Sequence, residues 1–292
     1  MYKYLTEKFE GLEYDLNAEL GKMTSFKTGG TADIVVYPKS VGQFKDIVAA
    51  LKGRDHVILG GGTNVLVSDS GYHGVVVSTK NLNKIKTVGN ILVCECGVKN
   101  SAAVTACVQN GLSGLEFAVD IPGTIGGLVA MNAGCYNKAC EDAVCYVVAE
   151  NGVYNKTDCR FSYRKSRFLS GEAVYLAAFK LKIAEEETIN FKLNRFRGAR
   201  TKSQPKGRSC GSVFLNEGFF AGKIIDEVGL KGYSIGSAHV SDTHANFIIS
   251  EGTSSQDVYD LIRYVKKKVF LDTGTELHEE VIYIGEFYDN KL

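Results

Sequence analysis

Residues 58–69, ILGGGTNVLVSD, run an apolar strand into three consecutive glycines and straight back into apolar residues. Glycine loses more conformational freedom on folding than any other residue, so three together mark a backbone that turns tightly and lies against something. Phosphate is the usual occupant of such a loop, yet neither standard loop fits. A Walker A loop needs a lysine after its last glycine, and none follows here. A Rossmann fingerprint needs a third glycine where this chain has Val65. For this stretch alone, a plain tight turn between two strands stays open.

A second segment, residues 114–136, reads GLEFAVDIPGTIGGLVAMNAGCY. Its density of small residues exposes backbone N–H groups, which hold a pyrophosphate without a cationic side chain. Two such loops, roughly sixty residues apart, can close on one dinucleotide from both sides. Side-chain chemistry comes from RSCGSVFLN (208–216), SYRKS (162–166), RTKSQP (200–205), VSDTHANF (240–247) and the acidic pair Glu279-Glu280 in LHEEVIYIG. Taken singly, each of these polar residues reads as solvated surface.

The chain has 292 residues, 45% apolar and 23% charged, enough for two domains or three small ones. A net charge of +1 gives no bulk attraction to nucleic acid or an anionic membrane. The first fifteen residues lack an apolar signal core, and no apolar run reaches membrane-spanning length, so a cytoplasmic protein is expected. Eight cysteines without a C-x-x-C pair are expected to be reduced and mostly buried. The five histidines show no H-x-x-x-H spacing, and no metal site is expected.

Periodicity places strands at ADIVVYP, HVILGG and GVVVST, and a strand pair over 85–97 turned at Gly89-Asn90. Ser40 and Gln43 have capping-box spacing ahead of a helix with Phe44, Ile47, Val48 and Leu51 on one face. Asn100 is expected to cap a small-residue helix that stops at Gly111. FFAGKIIDEVGLKG reads as a helix ended by a glycine. Residues 254–270 read as the clearest helix, with Ser254 and Asp257 as its box and Val258, Leu261, Ile262, Val265 and Val269 as a core stripe.

Together the segments resemble one family, UDP-N-acetylenolpyruvoylglucosamine reductase, the flavoenzyme of peptidoglycan precursor synthesis. SFKTGGTADIVVYP, GGGTNVLVSDSGYHGVVV, GLSGLEFAVDIPGTIGGLVAMNAGCY, YRKSRF, SCGSVFLN, AGKIIDEVGLKG, VSDTHANFIIS and LHEEVIYIG match in order and spacing. The length, without an insertion in the last third, resembles the shorter of the family's two structural classes. The resemblance implies an α+β chain with the FAD-binding fold of the vanillyl-alcohol-oxidase (PCMH) type. Residues 1–80 and 81–190 would be two flavin subdomains, with 281–292 packing on the second, and 191–280 an α+β substrate domain. It implies FAD held by Gly60, Gly61, Gly62, Thr63 and Asn64 and by Ile121, Pro122, Gly123, Thr124 and Gly127. Arg164, Ser212 and Glu280 match the family's catalytic three, and Tyr136 and Arg200 match positions that contact substrate. Asn132, His244 and Asn246 lie in pocket-lining motifs without an assigned role, and Lys202, two residues after Arg200, is a candidate partner for a nucleotide diphosphate or the substrate carboxylate by that proximity alone.

The implied reaction takes hydride from NADPH through FAD N5 to the enolpyruvyl double bond of UDP-N-acetylglucosamine enolpyruvate. Arg164 suits the charge that develops on the substrate carboxylate, because its fork of donors stays charged. Glu280 would have to be protonated or joined through Arg164, and Ser212 would give the proton to the α-carbon. The chain departs from the family at Leu277-His278-Glu279-Glu280-Val281, where the pattern is LEPEV, at Leu215 and Glu217, where it is FKNP, and at NAGCYN, where it is NAGAYG. A flavin oxidase of the same fold acting on a small alcohol, and a non-catalytic flavin- or nucleotide-sugar-binding protein, remain alternatives.

Overall fold

The computed structural model describes residues 2–290. The chain forms two compact units: residues up to Asp15, Ile34–Gly61 and Gly74–Arg200 in the first, and Leu16–Asp33, Gly62–His73 and everything from Thr201 onward in the second. Each has its own apolar core.

The first unit contains the helix Val41–Leu51, begun where Ser40 Oγ accepts the Gln43 N–H. Gln43 reaches back to the Lys39 N–H, one residue short of a closed capping box. Phe44, Ile47, Val48 and Leu51 are buried as the spacing requires, in one core with Ile34, Val36, Val75 and Val77. His56–Leu59 pairs in parallel with Val75–Ser78. Its second sheet is antiparallel, in the order Gly152–Asn155, Val144–Ala149, Val174–Lys180, Ile91–Glu95, Ile85–Val88. Gly89, at φ +57°, makes the turn between the last two. The central strand buries Val174, Tyr175, Ala177, Ala178 and Phe179, so it reads as a continuous apolar run.

The helix Asn100–Gln109 corrects one expectation. Its cap position is Lys99, and the Asn100 amide instead donates to the Ile121 carbonyl at 3.1 Å. Asn100 therefore holds the 121–127 loop rather than its own helix. Gly111, at φ +61°, stops the helix as expected.

In the second unit the helix Ser255–Thr273 covers the antiparallel strands Ser234–Ile235, Ala238–Val240 and Ile248–Ser250. The stripe Val258, Leu261, Ile262, Val265 and Val269 is buried, and Gly274 ends the helix three residues later than expected. Ser254 accepts the Asp257 N–H, but the box stays open because Asp257 binds the Ser237 N–H and hydroxyl. Asp69 supplies the missing acceptor, taking the Ser255 and Gln256 N–H groups and both serine hydroxyls. The C-terminal segment, expected as 281–292 and described as far as residue 290, forms one strand. Ile282–Ile284 adds in parallel to Val65–Val67, immediately after the triple glycine. All eight cysteines are free, six of them buried, and no helix among the described residues is long and apolar enough to cross a membrane.

Candidate active site

In the first unit the two glycine segments meet. A Cβ on Gly60 would lie 2.6 Å from Thr124 Oγ1, so the loops approach closely and an added methyl group would displace the threonine hydroxyl. Thr124 Oγ1 is buried without a hydrogen-bond partner, as is Asn100 Oδ1. A buried hydroxyl left unpaired costs free energy, so its position asks for an external partner. Gly60, Gly61, Gly123 and Gly127, which have no side chain to cover their backbone, are at least partly exposed in these loops. The loop itself is rigid: Asn100 N–H bonds Gly123 O, Ile125 N–H bonds Val98 O, and Gly126 N–H bonds Cys96 O. This arrangement fits the diphosphate of a dinucleotide such as FAD.

Arg164 belongs to the same unit. Residues 162–165 form a tight turn closed by reciprocal Ser162 and Lys165 backbone bonds. Asn132, which sequence reasoning left without a role, fixes that turn by donating to Ser162 O and Glu141 Oε1. Arg164 adopts φ +54° and Tyr136 φ +52°, a left-handed conformation that costs a non-glycine residue about 1–2 kcal/mol. Two of the proposed site residues thus carry backbone strain, as functional positions commonly do. Arg164 Nη2 donates to Gly134 O at 2.9 Å. Arg200 lies against the thiol of Cys135, which burial holds above its usual pKa despite that cation and Arg164. Tyr136, 45% exposed, packs on Phe196.

The second unit brings Ser212 and Glu280 onto neighbouring segments. Glu280 N–H donates to Val213 O at 2.7 Å, and Leu215 N–H to His278 O at 2.9 Å. On its other side the Ser212 segment pairs with Phe247. Asn246, 1% exposed, accepts from Phe214 N–H and donates to Phe214 O, replacing a strand neighbour with its side chain. Asn64 joins the same assembly, its amide donating to Glu280 O at 2.9 Å. Of the doubled glutamate, Glu279 pairs with Lys266, whose Nζ lies 2.6 Å from Glu279 Oε2. Glu279 is thereby committed to the helix. Two of the departing residues also meet here, His278 Nδ1 standing 2.7 Å from Glu217 Oε2.

His244 Nδ1 accepts the Asn246 N–H at 3.2 Å, which requires the neutral ring. Burial, aided by Lys231, lowers its pKa below the usual 6.5. A base with a depressed folded pKa binds protons better when unfolded, so its contribution is intact above about pH 6.5 and is lost as pH falls below it. Urea midpoints between pH 8 and 5 should fall more steeply in the parent protein than in His244→Gln; equal slopes would remove His244 as the cause.

Comparison with known proteins adds to this geometry. Residues 32–156 match the FAD binding domain model, and residues 203–284 match the model described as UDP-N-acetylenolpyruvoylglucosamine reductase, C-terminal domain. A UDP-N-acetylenolpyruvoylglucosamine reductase of Caldicellulosiruptor bescii is 41% identical, over 96% of this chain and 93% of that protein. Another, of Clostridium novyi, is 39% identical over 94% and 93%. The crystal structure of UDP-N-acetylenolpyruvylglucosamine reductase from Thermus caldophilus superposes with a TM-score of 0.82 at 31% identity, covering 95% of this chain and all of that one.

Proposed function

The chain belongs to the UDP-N-acetylenolpyruvoylglucosamine reductase family, and from that premise we infer a task for each of its site residues. It is an FAD-dependent oxidoreductase that reduces UDP-N-acetylglucosamine enolpyruvate to UDP-N-acetylmuramate with NADPH, a step of peptidoglycan precursor synthesis. We place it in the cytoplasm, where that nucleotide sugar is soluble. Residues 1–80 and 81–190 would serve flavin, and 191–280 the substrate.

When bound, FAD supplies the hydride for the terminal enolpyruvyl carbon and is itself recharged by NADPH. Gly60, Gly61, Gly62, Thr63 and Asn64, with Ile121, Pro122, Gly123, Thr124 and Gly127, would hold it, the Thr124 hydroxyl gaining the partner it lacks. Arg164 grips the substrate carboxylate and balances the charge that grows there. Glu280 would assist only as a hydrogen-bond donor or joined through Arg164, because a bare carboxylate repels the growing charge. Ser212 keeps its hydroxyl proton until the α-carbon becomes basic enough to take it. Tyr136 and Arg200 orient the nucleotide sugar.

The observation that carries these assignments is the strand pairing that seats Glu280 beside Val213, next to Ser212. The direct test is anaerobic. NADPH should bleach the flavin absorbance of the FAD-loaded protein, and the enolpyruvyl nucleotide sugar should restore it promptly. Bleaching that only oxygen reverses would favour an oxidase of the same fold, and no flavin uptake would defeat the reading altogether.

A further inference from the structure

We propose that Lys192 is a positioning residue for the nucleotide sugar, acting through the helix that it shares with Arg200. The inference rests on the assignment of Arg200 to substrate. Lys192, Phe196 and Arg200 recur every four residues in the helix Glu186–Ser203, which places them on one face. That face meets residues 113–136. Lys192 Nζ donates to Ser113 Oγ at 2.7 Å and stands 3.8 Å from Glu116 Oε1. Phe196 lies 5.9 Å from the Tyr136 ring. Arg197 stands 3.9 Å from Asp120. Arg200 rests on Cys135, whose thiol donates to Phe117 O.

These contacts are unequal. Arg197 and Asp120 are both about half exposed, and such pairs contribute little. Glu116 is different: it is 6% exposed, and it accepts the Gly114 N–H and the Ser113 hydroxyl as well as facing the ammonium. A buried carboxylate with fixed partners has one arrangement, so it can set the rotation of the helix that supplies its counter-charge. The buried apolar side chains of the helix, Ile189 and Leu193, lie in its first half. Lys192, between them, anchors the helix together with Leu193 and Phe196, in the turns that lead on to Arg200. The segment that receives the anchor also carries the flavin loop and Tyr136, so one docking surface fixes the groups that hold the flavin and the sugar nucleotide.

The test is equilibrium binding of UDP-N-acetylmuramate to the oxidised FAD-loaded protein by calorimetry, beside turnover. Lys192→Met should weaken that affinity and raise KM by about five- to tenfold, with kcat changed less than about twofold. Flavin content should be unaltered, and Lys192→Arg should restore binding. Ser113→Ala, which removes the hydroxyl between the ammonium and Glu116, should weaken binding in the same direction and serves if Lys192→Met folds poorly. Parent-like binding in either variant while Arg200→Ala binds weakly would overturn the proposal and leave the reading of Arg200 standing. Parent-like binding in Arg200→Ala would overturn both.

Discussion

Ser212→Ala should lower turnover by roughly 10²–10⁴-fold, the usual range for a lost general acid. The same variant should still let NADPH bleach the flavin at the parent rate. The contrast follows from position. Ser212 is partly accessible, and its backbone pairs with Phe247, so an alanine keeps the strand while removing the hydroxyl proposed to serve the α-carbon. Thermal unfolding should therefore move by no more than about 2 °C. Stopped-flow absorbance separates the halves: bleaching intact and recovery slow supports the proton donor. Recovery at the parent rate would return that role to Glu280 or to water.

Gly62→Ala should cost about 3–5 kcal/mol and lower Tm by roughly 10 °C or more, or leave no soluble protein. Gly62 sits at φ +62°, and an added Cβ would come 2.1 Å from Met23 O and 3.0 Å from Thr24 Cα. Those are backbone atoms that a rotamer change cannot move. The strand Val65–Val67 starts three residues later and pairs with Ile282–Ile284, so the disturbance reaches the strand that follows Glu280. Gly60→Ala is the control. Its Cβ meets only the Thr124 side chain, which can turn away, so the fold should survive while FAD binds more weakly. Differential scanning calorimetry and flavin titration of both variants test the pair; a Gly62→Ala protein as stable as the parent would contradict the argument.

Much of this was legible in the sequence because it is local. The stripe from Val258 to Val269, the stop at Gly111 and the turn at Gly89 each follow from spacings of a few residues, over which one backbone geometry wins. Capping was less legible. Asn100 has the right identity and place for a cap, yet the loop at Ile121 takes its amide. Asp257 has the right spacing from Ser254, yet Ser237 takes its carboxylate. In both cases a distant backbone group outcompetes the nearby one, and the residue type reads the same either way. Asn132 and Asn246 escaped assignment for a related reason: their work is to hold the backbone that presents Arg164 and Ser212.

By itself the sequence determined the family, the two glycine loops and the residue types of the site, since these rest on identity and order along the chain. Only the tertiary structure decided how the acidic pair is divided. Glu279 is taken by Lys266 of the covering helix, while Glu280 is fixed by its backbone to Val213 and to Asn64, a residue 216 positions away. Two adjacent glutamates have nearly the same chemistry in an extended chain. They part company when packing brings an ammonium to the side chain of Glu279 and pairs the backbone of Glu280 with Val213, because electrostatic partners act over a few ångströms of space and not over sequence.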